Sequence, residues 1–227
     1  MQHRIEGGNL PVLIVTMEPG ETMVTERGGM SWMSPNVHMD TNMKGGLMKG
    51  LGRALSGESV FLNTYTCQGG QGELACSSSF PGNILEFDLA AGESIIAQKG
   101  SFLCGESSVT LSVHLRKKVG VGFFGGEGFI MQRMEGPGKV YLEINGSCVK
   151  KTLQHGEELI VDPGHIAVQS PSITTDIRMV KGMKNIFLGG EGLFLAHLTG
   201  PGEVWLQTMT AANLAQTLMP YMPQNNS

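Results

Sequence analysis

A short pattern written three times constrains this chain more than any other feature. Gly-Glu, an apolar stretch and a second Gly occur as Gly20-Glu21 to Gly28, Gly92-Glu93 to Gly100 and Gly156-Glu157 to Gly164. The Gly-to-Gly interval is eight residues each time (28−20, 100−92, 164−156). A second pattern follows each copy: Gly57-Glu58-Ser-Val-Phe-Leu, Gly126-Glu127-Gly-Phe-Ile-Met and Gly190-Glu191-Gly-Leu-Phe-Leu. It starts 37, 34 and 34 residues beyond the first (57−20, 126−92, 190−156). A glycine turn comes next, at Gly69-Gly-Gln-Gly72, Gly136-Pro-Gly138 and Gly200-Pro-Gly202. Spacing kept at separate anchors marks a repeated supersecondary unit.

What repeats is the chemistry of turns and strands. Glycine suits hairpin turns that need a positive φ. Val140, Leu142 and Ile144 alternate with Tyr141 and Glu143, and Val204 and Leu206 alternate likewise. That is the period of a half-buried strand. We expect an all-β chain of three tandem β-sandwich units in a pseudo-threefold arrangement, packed as one compact body. The units span 1–78, 79–147 and 148–209. Residues 210–227 form a helix and tail. There Thr210 caps, Leu214 and Leu218 share a face, and Pro220 stops the helix.

Composition agrees. The 33 Gly and 10 Pro sit in a chain that is 41% hydrophobic and 16% charged. Such a balance excludes disorder and fits many turns between short strands. Net charge is −4, which opposes nucleic acid as a partner. Two basic clusters, Lys44, Lys49 and Arg53, and Arg116 to Lys118, read as solvated turns. The N-terminus has no secretory h-region, and no run is long enough to span a membrane. Cys67, Cys76, Cys104 and Cys148 never form CxxC and read as small buried hydrophobes. A thiol pair of Cys67 and Cys76 is the redox alternative.

Candidates for chemistry are few. Gly120 to Gly125 matches GxGxxG, but the residues after it read as turn and strand, whereas a dinucleotide loop opens a helix. The six histidines contain no HxH or HExxH. His114 and His197 sit singly in apolar strands, and His155 and His165 flank the third copy of the first pattern. No catalytic, cofactor or metal residue is assigned. The repeated glutamates form two sets: Glu21, Glu93 and Glu157, and Glu58, Glu127 and Glu191. The favoured reading is that each accepts hydrogen bonds from its own turn. The alternative is a set, Glu58, Glu127 and Glu191 above all, converging on the axis as a cation site. Met43–Ser56 stands apart. It carries Leu47, Met48, Leu51 and Leu55 at helical spacing, interleaved with Lys44, Lys49 and Arg53. Leu47, Met48, Lys49, Leu51, Arg53 and Leu55 are therefore a candidate interaction surface for a membrane or a protein partner, against the plainer reading of a packed connection.

Gly57-Glu58-Ser-Val-Phe-Leu, Phe102-Leu103 and Gly200-Pro-Gly-Glu-Val-Trp-Leu-Gln207 resemble the altered inheritance of mitochondria protein twenty-four family, from about Ile5 to Gln207. The resemblance implies three units akin to the tryptophan RNA-binding attenuation protein fold, of double-stranded β-helix type. Mitochondrial members are tied to the inner membrane. Without a targeting segment, this chain looks like an uncharacterised bacterial member, cytoplasmic or peripheral to the inner membrane. The family offers no catalytic residues to carry over. The function expected is a non-enzymatic scaffold or binding protein that self-associates. The rival is a small-ligand or metal-binding protein, or an enzyme, with its site between units.

Overall fold

The computed structural model describes residues 1–26, 28–41, 62–117, 128–180 and 194–222. A first strand, β1 (Gln2–Glu6), precedes three sets of six. The first set is β2 (Val12–Met17), β3 (Thr22–Glu26), β4 (Trp32–Met33), β5 (Val37–Asp40), β6 (Leu62–Cys67) and β7 (Gly72–Ser77). The second is β8 (Gly82–Leu89), β9 (Ser94–Gln98), β10 (Phe102–Glu106), β11 (Thr110–Lys117), β12 (Phe129–Glu135) and β13 (Gly138–Asn145). The third is β14 (Cys148–Leu153), β15 (Glu158–Val161), β16 (Ile166–Gln169), β17 (Thr174–Met179), β18 (Phe194–Thr199) and β19 (Gly202–Gln207). The protein is thus all-β, with one α-helix among the described residues, α1 (Ala211–Leu218). Thr210 caps it, its hydroxyl accepting from the Asn213 amide at 3.0 Å.

The three sets pair alike. The first strand of each lies antiparallel to the sixth (β2·β7, β8·β13, β14·β19). The third also pairs with the sixth (β4·β7, β10·β13, β16·β19). The fifth pairs with the second (β6·β3, β12·β9, β18·β15) and with the fourth (β6·β5, β12·β11, β18·β17). Two further pairings join one set to the next, β3 with β10 and β9 with β16. The result is four sheets: β1-β2-β7-β4, β5-β6-β3-β10-β13-β8, β11-β12-β9-β16-β19-β14 and β15-β18-β17. A closed threefold ring calls for one more join, between β15 and β4. Among the described residues these two strands are terminal in their sheets and are not hydrogen-bonded to each other.

Three cores fill the spaces between successive sheets. Leu13, Val15, Leu74, Tyr65 and Tyr141 belong to the first core. Ile95, Phe102, Met134, Val140 and Leu142 belong to the second. Ile96, Phe129, Met131, Leu198 and Val204 belong to the third. The middle sheets therefore have core on both faces. On β13, Val140, Leu142 and Ile144 enter the second core while Tyr141 enters the first. The half-buried strand expected there is instead buried on both faces at Tyr141, because the chain builds a further sheet against its outer side.

The repeated first pattern is a turn, a strand and a turn. In the opening turn the amides of Glu21, Glu93 and Glu157 each donate to the carbonyl three residues back, at 3.0 Å in all three. Gly20, Gly92 and Gly156 hold φ of +89°, +84° and +76° at the third turn position, the place where a type II turn favours glycine.

Candidate functional site

The first glutamate set is built into those turns. Glu21 Oε2 accepts from the Glu18 amide at 2.8 Å, Glu93 Oε2 from Ala90 at 2.9 Å, and Glu157 Oε2 from Gln154 at 2.8 Å. Each carboxylate closes its own turn from the side-chain direction while the backbone closes it from the other. This is the turn reading of the glutamate repeat, seen directly in this set. Glu58, Glu127 and Glu191 lie outside the described residues. So do Leu47, Met48, Lys49, Leu51, Arg53 and Leu55, and the Gly120 to Gly125 loop.

The histidines have separate surroundings. His165 Nδ1 donates to the Gln207 carbonyl at 2.7 Å. His155 is exposed in the turn before β15. His197 Nδ1 lies 3.3 Å from Arg178, whose guanidinium also bonds Asp176 and holds that carboxyl below its ordinary range. Partial burial, then Arg133, push His114 below the usual imidazole range. Among the described residues no group of three or more His, Cys, Asp or Glu is placed to hold a metal ion.

The four cysteines are free, and all but Cys148 are buried. Cys76 of β7 and Cys67 of β6 both line the first core. Cys76 shares that core with Cys104 of β10, and burial, then Cys76, push the Cys104 thiol well up. Cys67 Sγ instead donates to the Gly70 carbonyl at 3.1 Å, tying down the turn before β7.

One polar cluster had no sequence signal. Glu86 of β8 accepts from Lys139 of β13 and lies 2.9 Å from His3 Nε2 of β1. Lys139 also reaches Asp88 at 3.1 Å. The His3 ring packs edge-on against Tyr141, with centroids 5.2 Å apart. The Tyr141 hydroxyl is buried without a hydrogen-bond partner among the described residues. Burial, then Glu86, raise its pKa far above the ordinary tyrosine range. These residues come from three strands far apart in the chain, so only cross-strand pairing brings them together. A neutral hydroxyl that donates to nothing is not a proton relay, and the cluster reads as a stitch between the first two sheets.

The other feature that points outward is apolar. Trp32 on β4 is 48% exposed and Ile160 on β15 is 55% exposed. Both sit on strands whose second edge has no partner among the described residues.

The sequence profile of the family described as Mitochondrial biogenesis AIM24 matches residues 3–209. The chain belongs to this family. An uncharacterised protein of Streptococcus pyogenes serotype M6 is 30% identical over 226 residues, covering 96% of this chain and 89% of that protein. The crystal structure of protein SPYM3_0169 from Streptococcus pyogenes superposes with a TM-score of 0.77 at 26% identity, over 97% of this chain and 99% of that one. The chain thus shares its fold with a bacterial protein. Among its described residues no helix is long and apolar enough to cross a membrane.

Proposed function

We propose that the protein is a non-enzymatic, self-associating scaffold that docks on an anionic membrane surface. Its body would be three units, 1–78, 79–147 and 148–209, related to the tryptophan RNA-binding attenuation protein fold. One observation carries the membrane docking. The connections from β5 to β6, β11 to β12 and β17 to β18 hold the same place in the pairing scheme. All three are glycine-rich, and all three mix lysine with large apolar residues: Lys44, Leu47 and Lys49; Lys118, Phe123 and Phe124; Lys181, Lys184 and Phe187. Elsewhere the balance is acidic, since the whole chain carries −4. Each Lys or Arg held at an anionic leaflet contributes about 1 kcal/mol of attraction, and apolar side chains between them add burial in the interface. The family description, mitochondrial biogenesis, fits work at a membrane.

Flotation with phosphatidylglycerol-containing vesicles tests this reading. The chain is expected to float at low salt and to sediment when Leu47, Leu51 and Leu55 are changed to Ser. A chain that stays at the bottom of the gradient in both forms refutes membrane docking.

A further inference from the structure

The C-terminal helix leaves its apolar side open. Ala211, Leu214, Ala215 and Leu218 recur on one side of α1 at three- and four-residue spacing. Tyr221 and Met222 continue that series, through a turn of 3-10 helix at Met219–Tyr221. Neither segment contains a buried residue. Leu218, Met219, Tyr221 and Met222 are 50%, 65%, 85% and 63% exposed. From Val204 to Ser227 the sequence holds no Asp, Glu, Lys, Arg or His. A short, uncharged segment with one apolar side and an amphipathic tyrosine suits the boundary between headgroups and acyl chains.

Topology fixes the end of the molecule from which this helix leaves. β3, β9 and β15 each run from the opening turn of the first pattern to its closing turn. At the closing end Glu26 pairs with Leu62, Gln98 with Met131 and Val161 with Ala196, so β6, β12 and β18 all start there. The end of β19 lies at the same place. Gln207 Nε2 donates to the Gly164 carbonyl at 2.8 Å and to Gln98 Oε1 at 3.3 Å. A Cβ built on Gly164 falls 3.0 Å from the Thr210 methyl, so the helix cap is seated on a closing turn. The opposite end is acidic. The opening turns Glu18-Pro-Gly-Glu21, Ala90-Ala-Gly-Glu93 and Gln154-His-Gly-Glu157 contain glutamate and neither Lys nor Arg.

We propose that α1 and the Met219–Met222 turn insert into the lipid surface as an uncharged anchor, with the closing-turn end facing the bilayer and the acidic opening turns facing away. The occupant is a bilayer because two arguments agree on it. The open apolar side leaves the body at the end where β6, β12 and β18 begin, which is where the lysine-bearing connections enter them. The glutamate turns, which an anionic leaflet repels, lie at the far end of the same strands. The connections supply attraction that salt screens, and the helix supplies apolar burial that salt does not. This inference rests on the membrane docking proposed above and names the segment that enters the lipid.

Flotation of the full chain on phosphatidylglycerol-containing vesicles tests it, with and without Leu218→Ser, Tyr221→Ser and Met222→Ser combined. These side chains are exposed, so the variant is expected to keep the wild-type circular dichroism spectrum. The lipid concentration for half flotation is expected to rise about tenfold or more in the variant. The ratio is expected to be the same at about 0.1 M and about 1 M salt, although the Debye length falls from about 10 Å to about 3 Å. Fluorescence gives the direct reading. The emission that Tyr221→Trp adds to that of Trp32 and Trp205 is expected to shift to the blue on vesicles and to be quenched by lipids brominated on the acyl chain. Equal half-flotation points for variant and wild type overturn the anchor and leave docking through the connections standing. A ratio that falls to one at high salt, or added emission that bromine leaves unquenched while the protein floats, also overturns the anchor alone. A wild-type chain that never floats overturns both readings.

Discussion

Tyr141 shows how a single side chain reports the layering of this protein. It is 1% exposed on β13, its ring is packed by His3, and its hydroxyl has no partner among the described residues. A buried hydroxyl without a hydrogen bond costs roughly 1–3 kcal/mol relative to hydration. Tyr141→Phe removes that cost and keeps the ring, so the variant is expected to be more stable by about 1 kcal/mol. The gap also depends on pH. Burial and the nearby Glu86 raise the Tyr141 pKa above its ordinary value, so the folded chain holds its proton where the unfolded chain loses it. Above about pH 10 the folded state then binds more protons than the unfolded one, and stability falls as pH rises. Phenylalanine has no such loss. Urea midpoints of the two proteins should therefore diverge further at about pH 11 than at about pH 8. A Phe variant less stable than wild type at both would mean that the hydroxyl is satisfied after all.

At the scale of elements, the glycine turns separate two reasons for the same residue. Gly156 opens β15 with φ of +76°, and a Cβ there meets nothing within 4 Å. Gly200 precedes β19, and a Cβ there falls 2.3 Å from the Gln154 carbonyl oxygen and 2.8 Å from that of Leu153. Gly156→Ala therefore costs only backbone strain, about 1 kcal/mol. Gly200→Ala forces strand ends apart and is expected to cost several times as much. Urea denaturation of the two variants checks the ranking, and equal losses would sink it. Both glycines were visible in the sequence as turn markers, and so was the strand that follows each. The glutamate turns were legible too, because Glu157 bonds a residue three positions away and local spacing carries that information. Cys76 with Cys104, and His3 with Glu86, were not legible. Their pairing depends on which strands become neighbours, and no local period encodes that. The alternation of Val140, Leu142 and Ile144 encodes a strand, but it does not encode what covers the other face. Tyr141 looks like a solvent-facing position until β1 and β2 are laid across it.

At the scale of the whole molecule, the shared sheets make each core depend on its neighbour. β9 shows the coupling most clearly. Ile95 and Ala97 point into the second core, while Ile96, between them, points into the third. β9 sits beside β16 in one sheet, and the third core lies between that sheet and β15-β18-β17. A cavity at Ile96 therefore opens under strands that belong to the next set. Ile96 is fully buried, so Ile96→Ala is expected to cost about 2–5 kcal/mol. The diagnostic is where the loss shows. Amide hydrogen exchange should speed up in β17 and β18 as well as in β9, because local opening follows the cooperative unit and not the chain segment. Protection lost only in β9 and β12 would mean that the three strand sets are stabilised independently.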